Sequence, residues 1–117
     1  MFKISSLTNT YTQKQNISFS EISNVLFTFS YYPTQRSWMF SIEYDDFKID
    51  NQRLHISYNA LDKYKNIIPF GLMVTSLDGG EPLYLDDFII PRINLYILTK
   101  EEAENVHDNY FRSWMYD

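Results

Sequence analysis

Two histidines, His55 and His107, and three acidic clusters could carry a reaction in this sequence: Asp45-Asp46, Asp86-Asp87, and Asp78 with Glu81. A histidine acts as general base where a nucleophile stands within hydrogen-bond reach. Paired carboxylates hold a divalent cation or divide acid and base roles between them. Neither pattern is completed here. His55 alternates with Leu54 and Ile56, no serine or acid stands beside it at a nucleophile spacing, and no G-x-S-x-G turn is present. It reads as a half-exposed structural residue, and His107 as a solvated residue at the edge of a helix. Adjacent strand residues point to opposite faces, so neighbouring aspartates do not converge on one ion. The acidic pairs therefore read as solvated turn residues. Asp78-Gly79-Gly80-Glu81 lacks the spacing of a calcium loop, and the glycine pair lacks the lysine and following helix of a phosphate loop. The 117 residues include no cysteine, which excludes disulfides, thiolate metal sites and cysteine nucleophiles. No catalytic residue, metal site or cofactor is expected, and the chain does not read as an enzyme.

Charge and aromatic content say more. Ten Lys+Arg against fifteen Asp+Glu leave a net charge of −5. That balance argues against specific nucleic-acid binding, which needs clustered bases, and against docking on an anionic membrane. No stretch approaches the roughly 18 apolar residues of a membrane span. Met1–Leu7 lacks a signal-peptide pattern, so a soluble protein made in a cytoplasm is expected. Ten Tyr, nine Phe and two Trp make up 18% of the chain. Phe27, Phe29, Trp38, Phe40 and Phe70 sit on alternating or continuous apolar runs and are expected in the core. Tyr31, Tyr32, Tyr84, Tyr96, Tyr110 and Trp114 are the candidates for a contact surface, because tyrosine and tryptophan anchor interfaces.

These side chains must be positioned by strands. Val25, Phe27, Phe29 and Tyr31 alternate with Leu26, Thr28, Ser30 and Tyr32. After a turn at Pro33-Thr34-Gln35, Trp38, Phe40, Ile42 and Tyr44 alternate with Met39, Ser41, Glu43 and Asp45. The two runs predict an antiparallel hairpin with its rings inward. Phe47-Lys48-Ile49 predicts a short strand ending at Asp50-Asn51. Leu54, Ile56 and Tyr58 alternate with Arg53, His55 and Ser57 and predict another. In the run Ile67 to Val74, pairing should begin after Pro69, which has no N–H to give a ladder. Asp78-Gly79-Gly80-Glu81-Pro82 is the clearest turn, and Ile93, Leu95 and Ile97 mark the last strand. The period then changes. Thr99-Lys100-Glu101-Glu102 has the form of a capping box, and Ala103, Val106, Tyr110 and Trp114 follow at helical spacing. The expected fold is mainly β: a small antiparallel sheet or partly closed β-barrel with a C-terminal helix. Residues 1–99 form the β-rich domain and 100–117 an amphipathic helix or docking tail.

One constellation resembles a known family. Its first half is Gln13 to Ile17, Phe27-x-Phe29, Arg36-x-Trp38-x-Phe40-x-Ile42, Leu54 to Tyr58 and Leu61. Its second half is Pro69-Phe70-Gly71, Asp78-Gly79-Gly80-Glu81-Pro82, Asp86-Asp87-Phe88 and Leu95-Tyr96-Ile97-Leu98. Together, from about Gln13 to about Thr99, they resemble the small baseplate plug family of contractile-tailed bacteriophages. The resemblance implies a virion structural protein in the tail baseplate, packed against hub and tail-tube proteins at the distal end of the tail. Self-association is compatible with it. The segment from Lys100 lies outside the resemblance. The alternative from a different class is a carbohydrate-binding module that uses exposed rings as stacking planes. An oligonucleotide-binding barrel is disfavoured by the net charge.

Overall fold

The computed structural model describes residues 1–19 and 22–105. Among these residues seven strands form two antiparallel sheets. β2 (Thr12–Phe19), β3 (Ile22–Tyr32), β4 (Ser37–Tyr44) and β5 (Phe47–Arg53) follow one another as a meander in the order β2-β3-β4-β5. β1 (Phe2–Lys3), β6 (Phe70–Ser76) and β7 (Ile93–Thr99) make the second sheet in the order β1-β7-β6. A helix, α1, runs from 100 to 105, where the described residues end.

The expected hairpin is present. Phe27 pairs with Ile42, Phe29 with Phe40, and Tyr31 with Trp38 across β3 and β4. These positions share one face, and Val25, Phe27, Phe29, Trp38, Phe40 and Ile42 are buried. Asp45, in the tight β4–β5 turn, has φ +51°, a left-handed conformation that Asp tolerates better than most residues. The second sheet turns Phe70, Leu72 and Val74 of β6 and Ile93, Leu95 and Ile97 of β7 to the same core. The ring of Phe70 lies 6.5 Å from that of Phe27 and 5.3 Å, edge-on, from that of Tyr44. The two sheets thus meet face to face over one aromatic-rich interior. All five rings expected in the core are there.

The sheets do not close into a barrel. Gaps at both edges are bridged by other means. Between β1 and β2 the Gln15 amide donates to the Ser6 carbonyl (3.1 Å), while Gln13 exchanges two bonds with Thr8 (2.9 Å each). At the free edge of β6, Ser57 and Val74 exchange backbone bonds of 3.2 and 2.9 Å, and the Ala60 N–H reaches the Leu72 carbonyl at 2.7 Å. This corrects the reading of Leu54 to Tyr58 as a strand. The alternation holds for Leu54, His55 and Ile56, but Tyr58 is exposed, only Ser57 forms a bridge, and the segment works as a cover over an edge.

Pairing of β6 begins at Phe70, directly after Pro69. The capping box also forms. The Thr99 N–H donates to Glu102 Oε1 (3.1 Å) and the Glu102 N–H to Thr99 Oγ1 (3.2 Å). The N-terminal amine of Met1 pairs with the same carboxylate. This amine, then the Thr99 N–H, hold the Glu102 carboxyl below its usual range. Val106, His107, Tyr110, Phe111, Trp114 and Met115 lie outside the described residues.

Candidate functional site

The long connection from β6 to β7, residues 77–92, carries a dense set of side-chain hydrogen bonds. It folds back over the open end of the sandwich, where β3 and β4 present Tyr31 and Trp38. The Tyr31 hydroxyl donates to the Leu83 carbonyl at 2.7 Å, and the Trp38 indole N–H to the Tyr84 carbonyl at 3.0 Å. Those two carbonyls belong to irregular backbone, so the side chains supply partners that no strand provides. Phe88 then inserts its ring 4.7 Å from that of Trp38 and 6.2 Å from that of Phe29. A single 3-10 turn, Leu85–Asp87, precedes Phe88.

Arg92 ties the segment together. Its Nε and Nη2 each lie 2.9 Å from an Asp87 oxygen, its Nη1 2.8 Å from Asp78 Oδ1 and 3.1 Å from the Gly80 carbonyl, and its Nη2 also reaches the Glu81 carbonyl at 2.5 Å. The guanidinium also sits 5.4 Å from the centre of the Tyr84 ring. The bond to Asp87, and secondarily that to Asp78, raise the Arg92 pKa above its ordinary value against the desolvation of burial. Asp78 accepts from the Gly80 N–H, the Ser76 hydroxyl and Arg92, and these bonds, Gly80 first, lower its pKa.

This corrects, at Asp87, the reading of the acidic pairs as solvated turn residues, which holds for Asp46, Asp78 and Glu81. Asp86 is exposed and bonds Asn9 at 3.2 Å, but Asp87 is completely buried. Its Oδ2 also accepts the Tyr84 N–H at 2.9 Å. Arg92 had not been singled out from the sequence. The available signal was charge: it is the lone base between 77 and 92, among Asp78, Glu81, Asp86 and Asp87. His55 stands 3.6 Å from Glu81, itself half-exposed, and Glu81 receives the Ile56 N–H at 3.0 Å.

The structure separates the aromatic candidates. Tyr31 and Tyr84 come together at the clasped end, with Tyr11 stacked 6.3 Å from Tyr31. Tyr31 is half-buried and its hydroxyl is already engaged. Desolvation raises its pKa, which the charge of Arg36 partly offsets. Tyr84 is 53% and Tyr32 39% exposed. Tyr96 lies on the outer face of the other sheet, in register with Met73 and Lys3, and is half-buried. Tyr110 and Trp114 fall outside the described residues. Among the described residues, no group of three or more His, Asp or Glu is placed to hold a metal ion, and no helix is long and apolar enough to cross a membrane.

Buried carboxylate, guanidinium and tyrosine hydroxyl all act here to fasten backbone to backbone. The class such an arrangement defines is a small structural β-sandwich with a pinned connection across one end. The family model that matches is described as cyanophage baseplate Pam3 plug gp18, and it covers residues 1–101. The chain belongs to that family of phage baseplate plug proteins. No curated protein matches it.

Proposed function

We propose that this chain is a structural plug at the distal end of a phage tail, made in the host cytoplasm and then packed against hub and tail-tube proteins. The family match over residues 1–101 carries the reading. The fold supports it. A plug needs a rigid body whose backbone groups are satisfied internally and whose surface offers rings to a neighbour. Tyr32 and Tyr84 offer such rings. Tyr31, Tyr96, Tyr110 and Trp114 complete the proposed contact set. No catalytic step is assigned to the chain.

The test is to purify particles of the phage that encodes it and locate the chain by mass spectrometry and by reconstruction of the tail tip. The expected result is stoichiometric presence at the baseplate, in contact with hub and tube subunits. Absence from assembled particles would overturn the proposal. Retention of the purified chain on a glycan array would favour the carbohydrate-binding alternative.

A further inference from the structure

We propose that the 77–92 segment is the main docking surface of this plug, and that it receives a protein face with an apolar pocket bordered by lysine and arginine. The inference rests on the baseplate reading and specifies its partner contact. Ten large hydrophobic residues are exposed among the described residues, and four of them, Leu77, Tyr84, Ile89 and Ile90, lie in this one segment. Leu77 is 76% exposed, Ile90 59% and Ile89 48%. Two consecutive isoleucines left in water after the 3-10 turn lose the free energy that burial would give them, and nothing within the sandwich recovers it.

The segment is also held for binding. Arg92 bonds Asp78, Gly80, Glu81 and Asp87, and its own carbonyl accepts the Leu77 N–H at 2.9 Å. The Ile89 and Ile90 N–H groups both reach the Asp86 carbonyl at 3.1 Å. A surface ordered before contact pays little conformational entropy on docking. Charge selects the partner. Arg92, the one base between 77 and 92, is shared between buried Asp87 and Asp78 and faces inward, so four acids of the segment meet a single base, and Asp78, Glu81 and Asp86 are exposed, with His55 beside Glu81. Lys3, beside Ile89, and Arg36, facing Tyr31, lie only at its borders. An apolar centre with acidic neighbours is matched by a basic rim and repels an acidic one.

The experiment is complementation of a phage deleted for this gene, with the amount of chain in purified particles measured by mass spectrometry. The versions are the wild type, the double variant Ile89→Asp/Ile90→Asp, Ile90→Ala, Asp86→Lys, and Ile67→Asp as a control on a different exposed isoleucine. Incorporation should fall about tenfold or more for the double variant and several-fold for Ile90→Ala and Asp86→Lys, and stay at wild-type level for Ile67→Asp. Thermal unfolding of each purified variant checks the fold, and Ile90→Ala decides if the double variant does not fold. Wild-type chain missing from particles would defeat the baseplate reading itself. Wild-type chain present, with Ile90→Ala and Asp86→Lys incorporated equally well, would overturn this surface alone. Dimerisation of the purified wild type that Ile90→Ala abolishes would make the occupant a second copy, and would overturn the basic partner.

Discussion

Arg92 grips Asp87 with two parallel hydrogen bonds of 2.9 Å, and Asp87 has no contact with solvent. A buried ion pair adds little net stability when compared with a well-packed apolar pair, but removing one member strands the other. Asp87→Ala would leave Arg92 short of its main partner and the Tyr84 N–H without its acceptor. The expected cost is about 3–5 kcal/mol in chemical denaturation. Arg92→Lys should also destabilise, because an ammonium cannot make the fork that reaches both Asp87 oxygens. An Asp87→Ala protein as stable as the wild type would show that the pair is incidental.

The clasp by Tyr31 and Trp38 separates packing from hydrogen bonding. Trp38 is fully buried beside Phe88, so Trp38→Ala should cost about 3–5 kcal/mol. Tyr31→Phe keeps the ring and removes only the bond to the Leu83 carbonyl, so it should cost about 0.5–1.5 kcal/mol. Equilibrium unfolding of both single variants and the double variant gives their coupling. Exact additivity would mean that the two residues do not act on a common segment.

The hairpin of β3 and β4 was legible because Phe27, Phe29, Trp38 and Phe40 recur at every second residue, with Thr28, Ser30, Met39 and Ser41 at the intervening positions, and burial on one face imposes that pattern. β2 was not legible from its pattern. Its inward positions Gln13 and Gln15 lie at the open edge of the sandwich, where an amide bridging to Thr8 or Ser6 serves better than an apolar side chain. Leu54 to Tyr58 misled in the opposite direction. Leu54 is buried and Ile56 half-buried, but the backbone covers an edge and touches β6 through the single bridge at Ser57 without forming a strand. The burial of Asp87 could not be read from its neighbours in sequence. Its partner lies five residues on, beyond Pro91, and Tyr84 approaches only because Trp38 and Tyr31 hold the backbone in place.

Stability should fall at both ends of the pH range, for different reasons. Asp78 and Glu102 have lowered pKa values in the folded chain, so the unfolded state binds protons first as pH drops. Their contribution is complete above the ordinary values of 4.5 for Glu102 and 3.8 for Asp78, and is lost as pH falls below these. Tyr31 has a raised pKa, so its contribution is complete below the ordinary value of 10.0 and is lost as pH rises beyond it. Melting temperature against pH should be flat near neutrality. Glu102→Gln should reduce the acid slope and Tyr31→Phe the alkaline one. Unchanged slopes would assign the losses to other groups.

Gly71 is fixed by Asn59. A Cβ at position 71 would stand 2.7 Å from Asn59 Oδ1 and 2.9 Å from Asn59 Cγ, inside any allowed contact. Asn59 cannot move without cost, because its Oδ1 accepts the Leu61 N–H at 2.9 Å and the Leu72 N–H at 3.1 Å. Gly71→Ala should therefore destabilise by about 1–3 kcal/mol. Asn59→Ala leaves two backbone donors without that acceptor and should cost a similar amount. Combining them removes the clash, so the double variant should be less destabilised than the sum of the two. A simple sum in urea melts would show that Asn59 is not what excludes a side chain at 71.

Ending the chain at Thr99 tests whether residues 1–99 fold as a unit. Every member of the core cluster among the described residues lies between Ile4 and Ile97, so the truncation removes none of them. It does remove Glu102, which accepts the Thr99 N–H and pairs with the Met1 amine. Exposed pairs and caps of this kind are each worth only about 0.5–1 kcal/mol. Calorimetry of residues 1–99 should therefore show one cooperative transition, shifted down by a few degrees. Incorporation into particles should fall as well if Tyr110 and Trp114 contribute to the partner contact. Loss of the cooperative transition would mean that residues beyond Thr99 complete the sandwich, and the division of the chain at that point would have to be abandoned.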